Sequence, residues 1–461
     1  MYNKILHILK NAALKTLFSL LIFTTLFSAC KKKPDTPLIS SNHESADSVS
    51  WNILFKPGAD RAYRDKIVIQ VQDSVKAYIA KYNADKGRNI RVIPKGVHVC
   101  ICDTLLYNIN FKFLEGNGPS AASPPPPPTG PTGRGDFLNV ASISWNEKLR
   151  ESDNREVIKM SNSQKFEIKN KHVDGSVVLG IIDTGLDPDF FKPGLSDILW
   201  NDRDTQTIYN FLPGESPFRL VDDHQFKHGT AVTAIVLQQL AATPNYPKIM
   251  VLKALDNHKE GTTFSVSCAL SYAVKHDINV INASLGYEGD EDPVFRHYFG
   301  LADTHSPQPI LSFVSAGNTQ GFHDPAEFCT DNTNNNEIKM ANVFPACFSV
   351  TMPSLTSVTG LSKSNCACYY QKFSKDFISL GVLFEKKATC CKNWVDFNSG
   401  FYEGSSFATP VATGKLTDII LRVGFNNTQM KAAWQNLVLH AKETPYVTVN
   451  GSYISYKPQY Q

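Results

Sequence analysis

Apolar and polar positions change period several times along the chain, and each change marks a different kind of segment. Residues 16–27 (TLFSLLIFTTLF) are almost continuously apolar, follow Lys4, Lys10 and Lys15, and precede Ser28 and Ala29. A basic start, an apolar run short of the ~20 residues of a membrane span, and small residues before a cut predict a signal peptide over 1–29. A retained membrane anchor is the alternative. Residues 30–50 are polar and read as a tether. Between 51 and 115 the periods alternate. Strands are predicted at 66–71 (KIVIQV), 90–93 and 98–102, and a helix at 74–80, which together make a small α+β unit. Residues 116–136 (GNGPSAASPPPPPTGPTGRGD) have no apolar period, so 116–150 reads as an extended linker.

Beyond residue 150 the pattern becomes regular. Apolar runs at 176–182 (SVVLGII), 249–252 (IMVL), 280–284 (VINAS) and 310–315 (ILSFVS) alternate with helical patterns after His228 and over about 265–275. Continuous apolar strands separated by helices predict an α/β fold, a mainly parallel sheet covered by helices on both faces, over about 151–441. A cysteine- and aromatic-rich insertion is expected between 355 and 398, and a tail over 442–461. In such sheets the ligand site lies beyond the carboxyl ends of the strands.

Composition adds little to this picture. With 46 basic and 43 acidic residues the charge is nearly balanced, which gives no reason to expect nucleic acid as a partner. At 42% hydrophobic and 19% charged, the chain has the material for a globular core.

The strand ends carry the candidate chemistry. Asp183 follows the first long apolar run, His228 opens a helical pattern, and Ser406 opens another. A nucleophile, a base and a group that orients the base are what acyl transfer requires, together with donors for the oxyanion. Each residue taken singly also fits a turn or a helix cap. Together, residues 178–187 (VLGIIDTGLD), 228–230 (HGT) and 404–412 (GSSFATPVA) resemble the aspartate, histidine and serine motifs of the subtilase family, in that family's order. The resemblance covers about 174–440.

It implies a subtilisin-like fold and a serine endopeptidase in which Asp183, His228 and Ser406 form the triad. Residues 315–318 (SAGN) are similar to the motif whose asparagine, here Asn318, donates to the oxyanion. Residues 280–286 (VINASLG) are similar to the strand that binds substrate, with Ser284, Leu285 and Gly286 beside the specificity pocket. Tyr287 stands where the family commonly has a second glycine, so its ring is expected either to narrow the cleft or to face solvent. Ala231 replaces the second histidine often found after His-Gly-Thr. The resemblance implies a protein or peptide substrate, no catalytic cofactor and a monomer. It leaves structural calcium open, since no local run specifies a site. A catalytically degenerate, lipid-anchored binding protein is the alternative reading.

Residues 26–30 (LFSAC) resemble the bacterial lipobox, despite Phe27, and imply a diacylglycerol on Cys30 and a place in the bacterial cell envelope. Nine other cysteines would then meet an oxidising compartment. Cys268, inside a helical pattern, is expected to be an unpaired thiol, and Cys366/Cys368 with Cys390/Cys391 suit disulfides or zinc. By its position the unit at 51–115 is either a propeptide, removed by a cut in the linker that would release the catalytic domain from the lipid, or a permanent module that leaves the chain anchored.

Overall fold

The computed structural model describes residues 48–456, except 88, 116–139, 146–147, 151–165, 167, 169–171, 192–193, 203–204, 241, 319–342, 362–370, 385–394, 398–399, 403, 426–427 and 441–447. Cys30, the signal peptide, the proline run, and Cys329, Cys366, Cys368, Cys390 and Cys391 lie outside these. Asp47–Gln461 forms one compact unit.

Its first part is an α+β module: strand β1 (Ser48–Phe55), helix α1 (Arg61–Lys86), β2 (Ile90–Val99), β3 (Leu106–Glu115) and β4 (Val140–Trp145). The strands form an antiparallel sheet in the order β2-β3-β1-β4. Residues 66–71, expected as a strand, lie within α1. The reason is the spacing of what gets buried. Ile67, Val68, Val71 and Val75 share an apolar cluster with Trp51, Ile53 and Phe111, and Ile79 is buried one turn further on, whereas Ile69 is 57% exposed. That spacing has the period of a helix, and β-branched residues yield to it when packing demands. Asp60 caps the helix by accepting from Tyr63 N at 2.7 Å, and Gly87 ends it in the left-handed region. The strands expected at 90–93 and 98–102 are one strand, β2, which has a bulge between Pro94 and Gly96 and ends at Val99, leaving 100–102 in the turn that follows.

The larger part is the expected α/β domain. Its elements are β5 (Lys148–Arg150), β6 (His172–Asp183), α2 (His228–Gln239), β7 (Asn245–Lys253), β8 (Glu260–Thr262), α3 (Thr263–Lys275), β9 (Val280–Ala283), β10 (Tyr287–Glu288), α4 (Pro293–Asp303), β11 (Leu311–Ser315) and β12 (Val343–Phe344). Then come β13 (Leu355–Leu361), β14 (Leu380–Phe384), the hairpin β15 (Val395–Phe397) and β16 (Gly400–Tyr402), α5 (Ser405–Val423), α6 (Thr428–Leu437), β17 (Leu439–His440) and β18 (Ser452–Tyr456). The described residues make a sheet in the order β17-β18-β14-β13-β11-β9-β6-β7, parallel throughout except for the β17–β18 pair.

Both faces of this sheet are buried, which is why its strands read as unbroken apolar runs. Along β6, Val178 and Ile182 enter the cluster shared with Val266 of α3 and Phe295 of α4, while Leu179 and Ile181 enter the cluster of Val232 of α2 and Val411 of α5. Three boundaries differ from expectation. Residues 140–150, assigned to the linker, supply β4 and β5. Residues 355–398, expected as an insertion, begin with β13 and β14 of the central sheet, and the supposed tail supplies β18. β18 (SYISY) is short and mixed in character, whereas β14 (LGVLF) is an apolar run obscured only by the cysteine-bearing stretches on either side of it. Among the described residues no helix is long and apolar enough to cross a membrane.

Cys268 is not an unpaired thiol. It is buried in α3 and forms a disulfide with Cys100, just past β2, with the Cα atoms 5.7 Å apart. Its burial was legible, but a partner so remote in sequence was not. Among the described residues no cluster of His, Cys, Asp or Glu is placed to hold a metal ion.

The helical reading of 66–71 makes a sharp prediction. A strand would put Ile67, Ile69 and Val71 on one face, whereas α1 buries the first and last and exposes the middle one. Ile69→Lys is therefore expected to change stability by no more than about 0.5 kcal/mol, while Val71→Asp buries an unpaired charge and unfolds the module. Hydrogen exchange over residues 48–115 in the two variants measures this.

Candidate active site

The site is assembled where β6 and β11 end and helices α2 and α5 begin. At the end of β6, Asp183 Oδ1 accepts from Thr184 N and lies 2.7 Å from His228 Nδ1, with both side chains essentially fully buried. His228 is the first residue of α2. The residue before it, Lys227, is in the left-handed region and supplies no side-chain cap. The first amide groups of the helix would be orphaned without outside partners. They find them in other segments. Gly229 N donates to Thr184 Oγ1 at 2.9 Å, and Thr230 N donates to Asp222 Oδ2 at 3.0 Å.

Asp222 is the residue that sequence reasoning missed. It is completely buried and also accepts from Thr184 Oγ1 (2.9 Å), Thr230 Oγ1 (2.8 Å) and His224 N (3.1 Å). Burial pushes its carboxyl up, the bonds from Thr230 and Thr184 pull it back down, and nearby Asp183 adds to the rise. Lys227 Nζ donates to its carbonyl, and the buried Lys253 holds the flanking Val221 O and Asp223 Oδ2. The one available signal was the pair Asp222-Asp223 shortly before the histidine, which reads equally well as an ordinary polar loop.

Two glycines make the close approach feasible. A Cβ on Gly229 would collide with the carbonyl oxygen of Gly185, and Gly185 itself has φ +111° with Leu220 O 2.7 Å from where its own Cβ would stand.

Helix α5 repeats the device. Gly404, at φ +119°, gives no side-chain cap, and Ser405 N donates instead to Asn318 Oδ1 at 3.0 Å. Ser405 Oγ donates to the same oxygen, and Gly317 N donates to Ser405 Oγ. With its oxygen so engaged, the Asn318 amide nitrogen turns toward Gly404, 3.1 Å from the place a Cβ would take. Ser406 follows as the second residue of α5, buried, with its N–H in the uncompensated first turn. The Phe407 ring lies 5.1 Å from the His228 imidazole, so the two helix starts adjoin. Ser406 Oγ makes no hydrogen bond to the described residues. Catalytic hydrogen bonds of empty sites are commonly long and tighten only with substrate.

The segment after β9 lies alongside. Ser284 Oγ accepts from Asn282 Nδ2, whose own oxygen accepts from Thr413 of α5. Leu285 O accepts from Ser315 Oγ, and Gly286 packs closely on Phe344 O. Tyr287 neither narrows a cleft nor faces solvent. It is buried against Phe295 and Phe344, and its hydroxyl accepts from Asp292 N at the start of α4. A neighbouring strand, β8, pairs antiparallel with β5, where Leu149 is 1% exposed.

An imidazole fixed at Nδ1 by a carboxylate, a serine at an adjoining helix start and an amide beside it are the equipment of a serine peptidase. The chain belongs to the subtilase family, whose model matches residues 174–448, and is a serine-type peptidase acting on proteins or peptides. Among solved structures it is similar to the epidermin leader peptide processing serine protease (EpiP) of Staphylococcus aureus, solved as a serine-to-alanine mutant. That likeness is one of fold, with 13% identity, a TM-score of 0.50, and coverage of 89% of this chain and 98% of that one. No curated protein matches the sequence.

The network around Asp222 generates a prediction. Asp222→Ala leaves the donors of Thr184, Thr230 and His224 unmet in a buried place, at about 1–3 kcal/mol each. We expect a loss of at least ~3 kcal/mol in urea unfolding. In whatever remains folded, kcat should fall more than KM changes, since His228 loses its support and the substrate surface does not.

Proposed function

We propose that the chain is an endopeptidase in which Ser406 attacks the scissile carbonyl, His228 takes its proton, and Asp183 holds the imidazole and stabilises its cation. A covalent acyl-enzyme forms as the amine leaves with the proton from His228, and water then releases the acid. Asn318 Nδ2 and the N–H of Ser406 donate to the oxyanion. The observation that carries this reading is the buried 2.7 Å contact between Asp183 and His228, set beside the start of α5. The reaction uses side chains of the chain itself. Ser284, Leu285 and Gly286 border the bound peptide, whose extended backbone adds as a strand.

The N-terminal segment sets the location. With a signal peptide over 1–29 and lipid on Cys30, the peptidase is exported and held on a membrane of the bacterial cell envelope.

A fluorophosphonate probe should label the wild type and fail on Ser406→Ala. No labelling of the wild type would favour a degenerate binding protein, and labelling that persists in the variant would place the nucleophile on a residue other than Ser406. Asn318→Ala should lower kcat by about 10² to 10³ with KM little changed, the cost of one oxyanion donor. A kcat near wild type would remove Asn318 from the mechanism. Radiolabelled fatty acid should be incorporated in cells and lost in Cys30→Ser, whereas equal incorporation would place the lipid elsewhere or nowhere.

A further inference from the structure

We infer that the N-terminal module is a covalently retained subunit of the peptidase, so that cutting the proline-rich segment yields a two-chain enzyme. The route of the chain and the position of one disulfide together carry this. Cys100 belongs to the module and Cys268 to α3 of the peptidase domain, and the bond between them spans a sequence separation of 168 residues that includes the whole linker.

The disulfide sits in an interface that already fits. Leu54 and Leu106, on the face of the module's sheet opposite α1, share an apolar cluster with Phe264 and Leu270 of α3 and Phe299 of α4. Two polar contacts tie the same surfaces. Buried Asn52 donates to Thr263 Oγ1 at 2.9 Å, and the Tyr298 hydroxyl donates to Asp103 Oδ2 at 2.6 Å. Burial, reinforced by Asp103, pushes the Tyr298 hydroxyl up and keeps it a donor.

Strand order adds a third tie. β4 lies after the proline run in sequence yet pairs with β1 of the module, matching Trp51 with Trp145 and Ile53 with Ile143. A cut within 116–139 therefore leaves β4 on the peptidase chain while it still completes the module's sheet. Exchange of the disulfide from within is also suppressed. Cys102, two residues from Cys100, is a free thiol, but burial pushes it up to about 12, so it stays protonated at neutral pH.

Separation then needs two events. Hydrolysis opens the peptide chain, and a dithiol reductant breaks the remaining bond. The dithiol gives two electrons and two protons to the cystine sulfurs, leaving Cys100 and Cys268 as thiols, and closes to its own disulfide. Where Cys30 carries lipid, as proposed above, cutting the linker does not free the peptidase from the membrane.

The test uses the full chain with Ser406→Ala, so that its outcome is independent of catalysis, and with a recognition sequence for a site-specific protease placed between 116 and 139. After that cut, denaturing electrophoresis without reductant should show one species of nearly unchanged mass, and dithiothreitol should resolve it into two. In the same background Cys268→Ser should give two pieces without reductant. In case that variant misfolds, alkylation of the denatured, unreduced parent should modify Cys102 and spare Cys100 and Cys268. Two pieces from the parent without reductant, or alkylation of Cys100 and Cys268, would overturn the inference. Membranes carrying the cut protein, washed in concentrated urea, should retain the peptidase piece until a dithiol is added. Its release by the cut alone, in a preparation shown to be lipidated, would count equally against it.

Discussion

Helices α2 and α5 lack side-chain caps of their own, and the arrangement of the site follows from how that lack is met. A helix start buried without partners for its amide groups is costly, so α2 fits only where Thr184 and Asp222 wait, and α5 only where Asn318 does. Thr184 is the residue after Asp183, and Asn318 lies just beyond β11. The requirement to satisfy two helices therefore brings His228 and Ser406 to the ends of the strands. Backbone hydrogen bonding does the positioning, and the glycines at 185, 229 and 404 allow the approach.

The same constraint explains what could be read from the sequence. Asp183, His228, Ser406 and Asn318 stand in motifs because their neighbours are as constrained as they are: Thr184, Gly185, Gly229 and Gly404 each have a packing or capping duty. The parallel sheet was legible because both its faces are buried. Asp222 was not, since its role depends on three segments meeting and leaves no local pattern. Residues 66–71 misled because β-branched residues in a row suggest a strand, while the burial of every third or fourth position makes them a helix. β13 and β18 were obscured by the polar residues within them, β14 by the cysteine-bearing stretches that flank it, and Cys268 by the remoteness of its partner.

The N-terminal module changes in significance for a similar reason. By sequence it is a small unit set apart from the peptidase by a proline-rich run, with removal and retention both open. Its β1–β4 pairing, its buried contacts with α3 and α4, and the bond from Cys100 all join it to the far side of that run. Loop-closure cost grows slowly with length, so a long linker does not weaken such an association. A crosslink spanning so many residues also restricts the unfolded chain, by ~5 kcal/mol in the entropic model.

The central claim is that the buried Asp183–His228 pair serves Ser406. A crystal structure of the protein inactivated by a peptidyl phosphonate tests it most directly. The account predicts a covalent bond from Ser406 Oγ to phosphorus, with the phosphonyl oxygen accepting from Asn318 Nδ2 and Ser406 N and with His228 Nε2 within hydrogen-bonding reach of the adduct. An adduct on a different residue, or one on Ser406 whose phosphonyl oxygen points away from Asn318 toward solvent, would contradict it.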